Sequence, residues 1–294
     1  MRHRLLTLAL LAAVASPLAF AHNHGGDAKP ADAAAHDADQ QAKAALDGMI
    51  AGEWRTPANV ARDKFRHPAE TIAFFGLKPS MTVIEISPGS AAWWTEILAP
   101  WIKQGGGSYI AATTDPAKTS NERAREYFTG DNAKLRERLA KHPEQFSGVT
   151  LIEVDPNAPV YGAPNSADAV LTFRNLHGWI RNGVADEQMA AFFAVLKPGG
   201  VLGVEQHRAV EDVPADQIRG YVSEAQVIGL AKAAGFVLED RSEINANPKD
   251  DRDHPNGVWT LLPNLDVPEG EDKAKYEAIG ESDRMTLRFR KPAA

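Results

Sequence analysis

Thr82-Val83-Ile84-Glu85-Ile86-Ser87-Pro88-Gly89-Ser90 is the stretch on which the fold turns. A short apolar run rich in β-branched residues, followed at once by a Pro-Gly turn, reads as a buried strand. Beyond the turn the pattern is helical. Trp94, Ile97, Leu98 and Trp101 recur at helical spacing, and Pro100 predicts a kink or an early end. Upstream, Pro68 stands where a first helical turn accepts proline, Ile72 and Phe75 share a face, and Gly76 stops the helix.

The alternation continues to the end of the chain. Gly105-Gly106-Gly107 leads into a strand over 108–112. A long charged helical stretch follows, expected to break at Gly130-Asp131 and to end at His142-Pro143. Strands are read over 149–154 and 168–173. Met189, Phe192, Phe193 and Leu196 stripe the next helix, which Lys197-Pro198-Gly199-Gly200 ends before a strand over 201–205. Ser223 and Gln226 form a capping box for a helix reaching Ala234, and a further strand begins at Phe236. Met285, Leu287 and Phe289 alternate with polar residues in a half-buried last strand over 284–290. Strands alternating with helices predict an α/β fold, a doubly wound and mostly parallel sheet of about seven strands. No helix is read between the last two strands, so the final one is expected to insert antiparallel. Ligands of such sheets bind at the carboxyl ends of the strands, where the strand order reverses.

Composition bounds the function. Arg2, His3 and Arg4, the apolar run from Leu5 to Val14, and Ala19-Phe20-Ala21 read as a secretory signal peptide over 1–21, cut after Ala21. The protein is therefore expected in the periplasm or outside the cell. No other stretch is long and apolar enough to cross a membrane. Removing two arginines and no acid takes the formal charge of −7 to −9. Such a balance argues against a nucleic-acid partner. The chain has no Cys, which excludes disulfides, thiolate metal sites and a Cys nucleophile. Residues 22–45 are poor in large apolar side chains and read as a disordered linker, leaving 46–294 as the domain. After the cut, His22-Asn23-His24 would place a free amine and a third-position histidine where a square-planar Cu(II) or Ni(II) could bind.

Eight segments carry a resemblance: RHPAETIAFFGLKP from Arg66, VIEISPG from Val83, WTEILAP from Trp94, LTFRNLHGW from Leu171, LKPGGVLGVEQH from Leu196, AAGF from Ala233, NPKDDRDHPNGVW from Asn247 and GESDRMTLRF from Gly280. Over 74–289 the chain resembles class I S-adenosylmethionine-dependent methyltransferases, and more narrowly an exported bacterial group of predicted methyltransferases. The resemblance implies S-adenosylmethionine as cofactor and a small molecule as substrate. It implies Glu85, Ser87 and Gly89 in the cofactor turn, although Ser87 and Ala91 stand where the common pattern has glycine. Asp115 is implied as the ribose acceptor and Asp155 as the residue facing the adenine amine; each also reads as an ordinary turn residue. Arg174, Asn175 and His177 follow the fourth strand, where this fold places groups near the transferred methyl, and His207 follows the fifth. His177 is the candidate general base.

His254, set among Asp250, Asp251, Arg252 and Asp253, is expected to approach His177 and His207 across the pocket mouth. No local metal-binding spacing accompanies these histidines, so no metal ligand is assigned. Trp179 reads as a pocket aromatic, whereas Arg66 and His67 read as caps of the first helix. Three functions stay open: a small-molecule methyltransferase, an exported non-catalytic ligand-binding module on the same fold, and a metal-binding periplasmic protein using the His/Asp edge.

Overall fold

The computed structural model of the protein describes residues 30–293. The expected signal peptide, its cut after Ala21 and the His22–His24 amine site lie outside the described residues. The linker expected over 22–45 is helical where it is described, because helix α1 runs Pro30–Ile50. Low hydrophobicity suggested a tether, but alanine, the best helix former, dominates the segment. The compact unit begins at Gln40. Within it Leu46 is buried, and the Trp101 indole donates to the Ala42 carbonyl at 3.0 Å.

Three short helices follow, α2 (Pro57–Val60), α3 (Asp63–Arg66) and α4 (Pro68–Phe74). The alternating core then begins with β1 (Thr82–Ile86), α5 (Thr95–Gln104), β2 (Ser108–Thr114), α6 (Glu122–Lys141), α7 (Pro143–Phe146) and β3 (Val149–Val154). Next come β4 (Ala167–Phe173), α8 (Leu176–Asn182), α9 (Ala185–Val195) and β5 (Leu196–Ala209). The chain ends with β6 (Val222–Ser223), α10 (Glu224–Ala233), β7 (Val237–Ser242), α11 (Lys273–Ile279) and β8 (Arg284–Arg290).

The sheet has the order β3-β2-β1-β4-β5-β8-β7, with the short β6 paired to β5. β1 is central and pairs in parallel with both β2 and β4. β8 inserts antiparallel between β5 and β7, as expected. The seven-residue α11 does lie between β7 and β8, but an antiparallel neighbour needs no crossover helix.

Residues on the strands alternate between two cores. Ile84, Ile86, Val170 and Leu202 pack under Met189, Phe192 and Val227 of α9 and α10. Val83, Ala111, Leu171 and Val201 pack under Ile72 of α4, Phe75 just beyond its end, and Ile97 and Leu98 of α5. Each of the larger side chains among them contributes about 1.5–3 kcal/mol. That packing explains two departures from the local signals. α5 runs through Pro100, whose cost of about 3 kcal/mol is offset by the burial of Ile97, Leu98, Trp101 and Ile102. α6 runs unbroken through Gly130-Asp131, since one glycine costs a helix only about 1 kcal/mol. β5 also continues past Glu205 to Ala209, because Gln206 and His207 are buried with partners rather than turned to solvent.

Candidate active site

From β1 the chain moves outward through β2 and β3, then returns to β4 on the other side of β1. The reversal therefore lies at the carboxyl ends of β1 and β4, at Ser87 and Arg174. Both have left-handed backbone, with φ of 52° and 63°, and Gly89 has φ of 65°. A side chain in this region costs about 1–2 kcal/mol, and such residues gather at functional sites. Neighbouring bonds hold the strain in place. Ser87 N–H donates to Ala112 O at 2.8 Å and Arg174 N–H to Glu205 O at 2.7 Å. Asn175 Nδ2 stitches the two strand ends, donating to Ile86 O and to Thr172 Oγ1 at 3.1 Å each.

The turn after β1 is clamped from outside. Asp131 of α6 accepts from Ser90 N–H at 3.0 Å, which is the local reason for an acid at that point of the helix. Arg138 Nε donates to Ser90 O and Asn59 Nδ2 to Ala91 O, both at 2.8 Å. Arg138 and Asn59 also share the buried Glu96 carboxylate, at 2.7 and 2.9 Å. A Cβ added to Gly89 would meet nothing nearer than Asp131 Oδ2 at 3.8 Å. Glycine is favoured there by its φ, and the space beside it is open.

Ser87, Thr113, Thr114, Pro156 and Trp179 line the cleft at the ends of β1, β2 and β3, placing Trp179 where a pocket aromatic was expected. The cavity is only about 30 Å³. Tyr161 donates a short hydrogen bond to Gln188 Oε1, and Gln188 Nε2 donates to Pro156 O at 3.0 Å, closing the floor. Glu85, expected in this cleft, is not in it. Adjacent strand residues point to opposite faces, so with Ile86 in one core Glu85 enters the other. There its carboxylate accepts from Thr95 Oγ1 at 2.8 Å and from the Tyr109 hydroxyl. Burial pushes the Glu85 carboxyl up to about 7. Asp115 and Asp155 each accept from an amide two residues on, Ala117 at 2.8 Å and Asn157 at 2.9 Å, as turn residues do.

His177 and His207 meet, with ring centroids 5.8 Å apart. Trp259 stands edge-on to His177 at 5.9 Å. Burial, with the nearby Arg181, pushes the His177 imidazole down to about 4, and burial holds His207 well below its ordinary value. Both are neutral at neutral pH. The Gln206 amide has a fixed orientation, accepting from Leu176 N–H at 3.2 Å and donating to Gly220 O at 2.9 Å. Its Nε2 also faces His177 Nδ1 at 3.4 Å, which favours the tautomer with the proton on Nε2. His207 Nδ1 lies 2.5 Å from Ser282 Oγ.

His254 does not join this pair. Its Nε2 bonds Asp250 at 2.8 Å, and its ring stands edge-on to Tyr276. Asp250 connects onward to Tyr221, whose ring lies 6.2 Å from His207. Ligand atoms of Asp250, Asp251 and His254 fall within 4.8 Å of one another, a spacing a cation could use. Asp250 is nevertheless satisfied by Tyr221, His254 and the amides of Arg252 and Asp283, so the cluster closes a loop without an ion.

Arg66 is not a cap. It is fully buried, reaches Glu281 at 3.3 Å, and lies 4.8 Å over the Trp93 ring. His67 supplies the left-handed hinge between α3 and α4 with φ of 42° and makes no side-chain cap bond. Arg62 and Arg284 join Arg66 on Glu281, a convergence of residues more than 200 positions apart that no local pattern announces.

No known family model matches the sequence, and no curated protein does. Solved structures do match. A SAM-dependent methyltransferase from Aquifex aeolicus superposes with a TM-score of 0.52 at 13% identity, over 85% of this chain and 98% of that one. The chain has the class I methyltransferase fold. The [4+2]-cyclase SpnF superposes equally, with a TM-score of 0.53 at 16% identity over 88% of this chain and 96% of that one. A methyltransferase-type sheet thus carries at least two chemistries among its neighbours, and the site must decide between them. Among the described residues no helix is long and apolar enough to cross a membrane.

Proposed function

We propose that the protein is an S-adenosylmethionine-dependent methyltransferase acting on a small molecule. The observation that carries the reading is the turn after β1. Ser87 keeps the left-handed backbone that glycine adopts cheaply, although the substitution makes that conformation costly. Strain retained at a strand end that faces the switch point is strain with a use.

The residues present fit the cofactor in kind. The Ser87–Gly89 turn offers open backbone, Thr113 and Thr114 offer hydroxyls, and Trp179 offers a flat wall. The fit in volume requires opening, since about 30 Å³ holds roughly one water. Parting the Tyr161–Gln188 bond opens the floor. Bound there, S-adenosylmethionine supplies an electrophilic methyl group. The chain's part is to orient the acceptor and take its proton. In the tautomer favoured by Gln206, His177 presents Nε2–H and hydrogen-bonds the acceptor. The base role first assigned to His177 then passes to His207, with Ser282 accepting at Nδ1 and leaving Nε2 free to take the proton. Asn175 and Arg174 shape the strand end between them.

The closed cleft favours one second reading, a non-catalytic ligand-binding module on the same fold. Incubation of the protein with methyl-labelled S-adenosylmethionine and a small-molecule extract separates the two. Label moving into an extract compound supports transfer, and label remaining wholly in the cofactor rejects it. We place the protein in the periplasm or outside the cell on the Arg2–Ala21 pattern. N-terminal sequencing of the mature protein tests this, with His22 expected as the first residue.

A further inference from the structure

Beside the histidine pair, four arginines face two carboxylates. Arg62, Arg66 and Arg284 converge on Glu281 at 2.5, 3.3 and 3.0 Å, and Arg284 also bonds Glu205 at 3.0 Å. Arg174 lies in the field of Glu281, Glu205, Arg62 and Arg284, yet its buried Nε has no hydrogen-bond partner. Glu85 is close enough to interact with Arg66 and Arg174, but burial pushes its carboxyl up to about 7, so it offsets the excess positive charge only in part.

Each of the four arginines keeps one buried guanidinium nitrogen without a partner: Nη2 of Arg62, Nη2 of Arg66, Nε of Arg174 and Nε of Arg284. Native structures leave few such groups, and four in one cluster mark an incomplete network. The guanidinium groups are also held in place beforehand. Arg66 lies on Trp93, and Arg284 Nη2 donates to Phe65 O at 2.5 Å. Arginine forks of this kind match the oxygens of carboxylates and phosphates.

The location sets the ligand. β5 lies two strands from β1, about 10 Å at the usual strand spacing, on the side away from the β2–β3 cleft. His207 pairs in register with Arg284 across β5 and β8. The geometry points to an oxyanion site in which Arg62, Arg66, Arg174 and Arg284 hold a carboxylate or phosphate group of the methyl acceptor beside the His177–His207 pair. Glu205 Oε2 is buried without a donor as well, which suits an acceptor bearing an O–H or N–H next to its anionic group. In naming the acceptor this rests on the methyltransferase reading; the anion site itself does not.

The test is titration of the protein with inorganic phosphate and, separately, with lactate, against chloride at matched ionic strength, by calorimetry and thermal melting. Saturable binding of either anion is expected, and which one binds separates phosphate from carboxylate recognition. Arg174→Gln should weaken it about tenfold or more, the loss of one charge-assisted hydrogen bond. The unliganded melting temperature should not fall, because the Arg174 Nε has no partner to lose. Arg62→Gln serves if Arg174→Gln fails to fold. Saturation by neither anion, or full affinity in the variant, overturns the assignment. Displacement of the anion by S-adenosylmethionine also overturns it, since the arginines would then hold the cofactor's own carboxylate. Failure of S-adenosylmethionine to bind at all counts against the methyltransferase reading and leaves the anion result to stand or fall alone.

Discussion

The imidazole of His177, in the first turn of α8, lies 5.8 Å from that of His207, near the end of β5. Two neutral rings in one buried place make stability depend on pH. Both folded values lie below the usual 6.5, so between that value and about 4 the unfolded chain binds more protons. The stability contributed by the pair is complete above pH 6.5; the His177 share is lost as pH falls toward 4, and the His207 share is lost in the same direction. Urea denaturation across this window should show the slope, and His177→Gln should flatten it. An unchanged slope in that variant would mean that His177 is protonated in the folded state.

Glu85 works in the opposite direction. Its folded value of about 7 exceeds the ordinary 4.5, so its contribution is complete below pH 4.5 and is lost as pH rises through 7. Glu85→Gln keeps the shape and removes the ionisation. Relative to the unaltered protein, the variant's melting temperature should rise between pH 5 and pH 8. A constant difference over that range would show that the Glu85 carboxyl titrates normally.

The carboxylate of Glu281 anchors three arginines. Burial alone would raise its pKa, but Arg66, Arg284 and Arg62 together outweigh this and hold it well below the carboxylate range. Glu281→Gln leaves buried positive charge uncompensated, which should destabilise the fold by about 3–5 kcal/mol. Chemical denaturation measures it. A change under about 1 kcal/mol, the value of an exposed pair, would place the cluster in water.

The strained turn makes a sharper comparison. At φ of 52° a β-branched residue is worse than serine, while glycine is free of the strain. Ser87→Val should be less stable than Ser87→Gly by at least about 1 kcal/mol. Equal stabilities would show that Ser87 is not in the left-handed region.

The fold was legible because its signals are local. β1 is an apolar run closed by Pro88-Gly89, and Ser223 and Gln226 form both halves of their capping box. Where the local signal was weaker than its surroundings the helices run on: packing carries α5 past Pro100 without the early end that proline allowed, and the small cost of one glycine lets α6 continue through Gly130. The site was legible in part. Arg174, Asn175 and His177 stand after β4 where they were read, whereas His207, read as following the fifth strand, lies within β5, which continues to Ala209. Glu85 was misplaced because its side faces a core, which strand parity could have shown. The arginine cluster left no local trace, since Arg62 and Arg66 meet Glu281 and Arg284 only through the inserted β8. His254 bonds Asp250 rather than either of the other two histidines, and reaches toward His207 only through Asp250 and Tyr221.

The central claim is that the turn after β1 cradles S-adenosylmethionine, and calorimetric titration of the protein with that cofactor tests it most directly. The account predicts one saturable site, lost in Gly89→Leu. That variant should remain folded, because a Cβ there meets only Asp131 Oδ2 at 3.8 Å and the left-handed φ costs about 1–2 kcal/mol. Absence of binding to the unaltered protein, or undiminished binding to a folded Gly89→Leu variant, would contradict it.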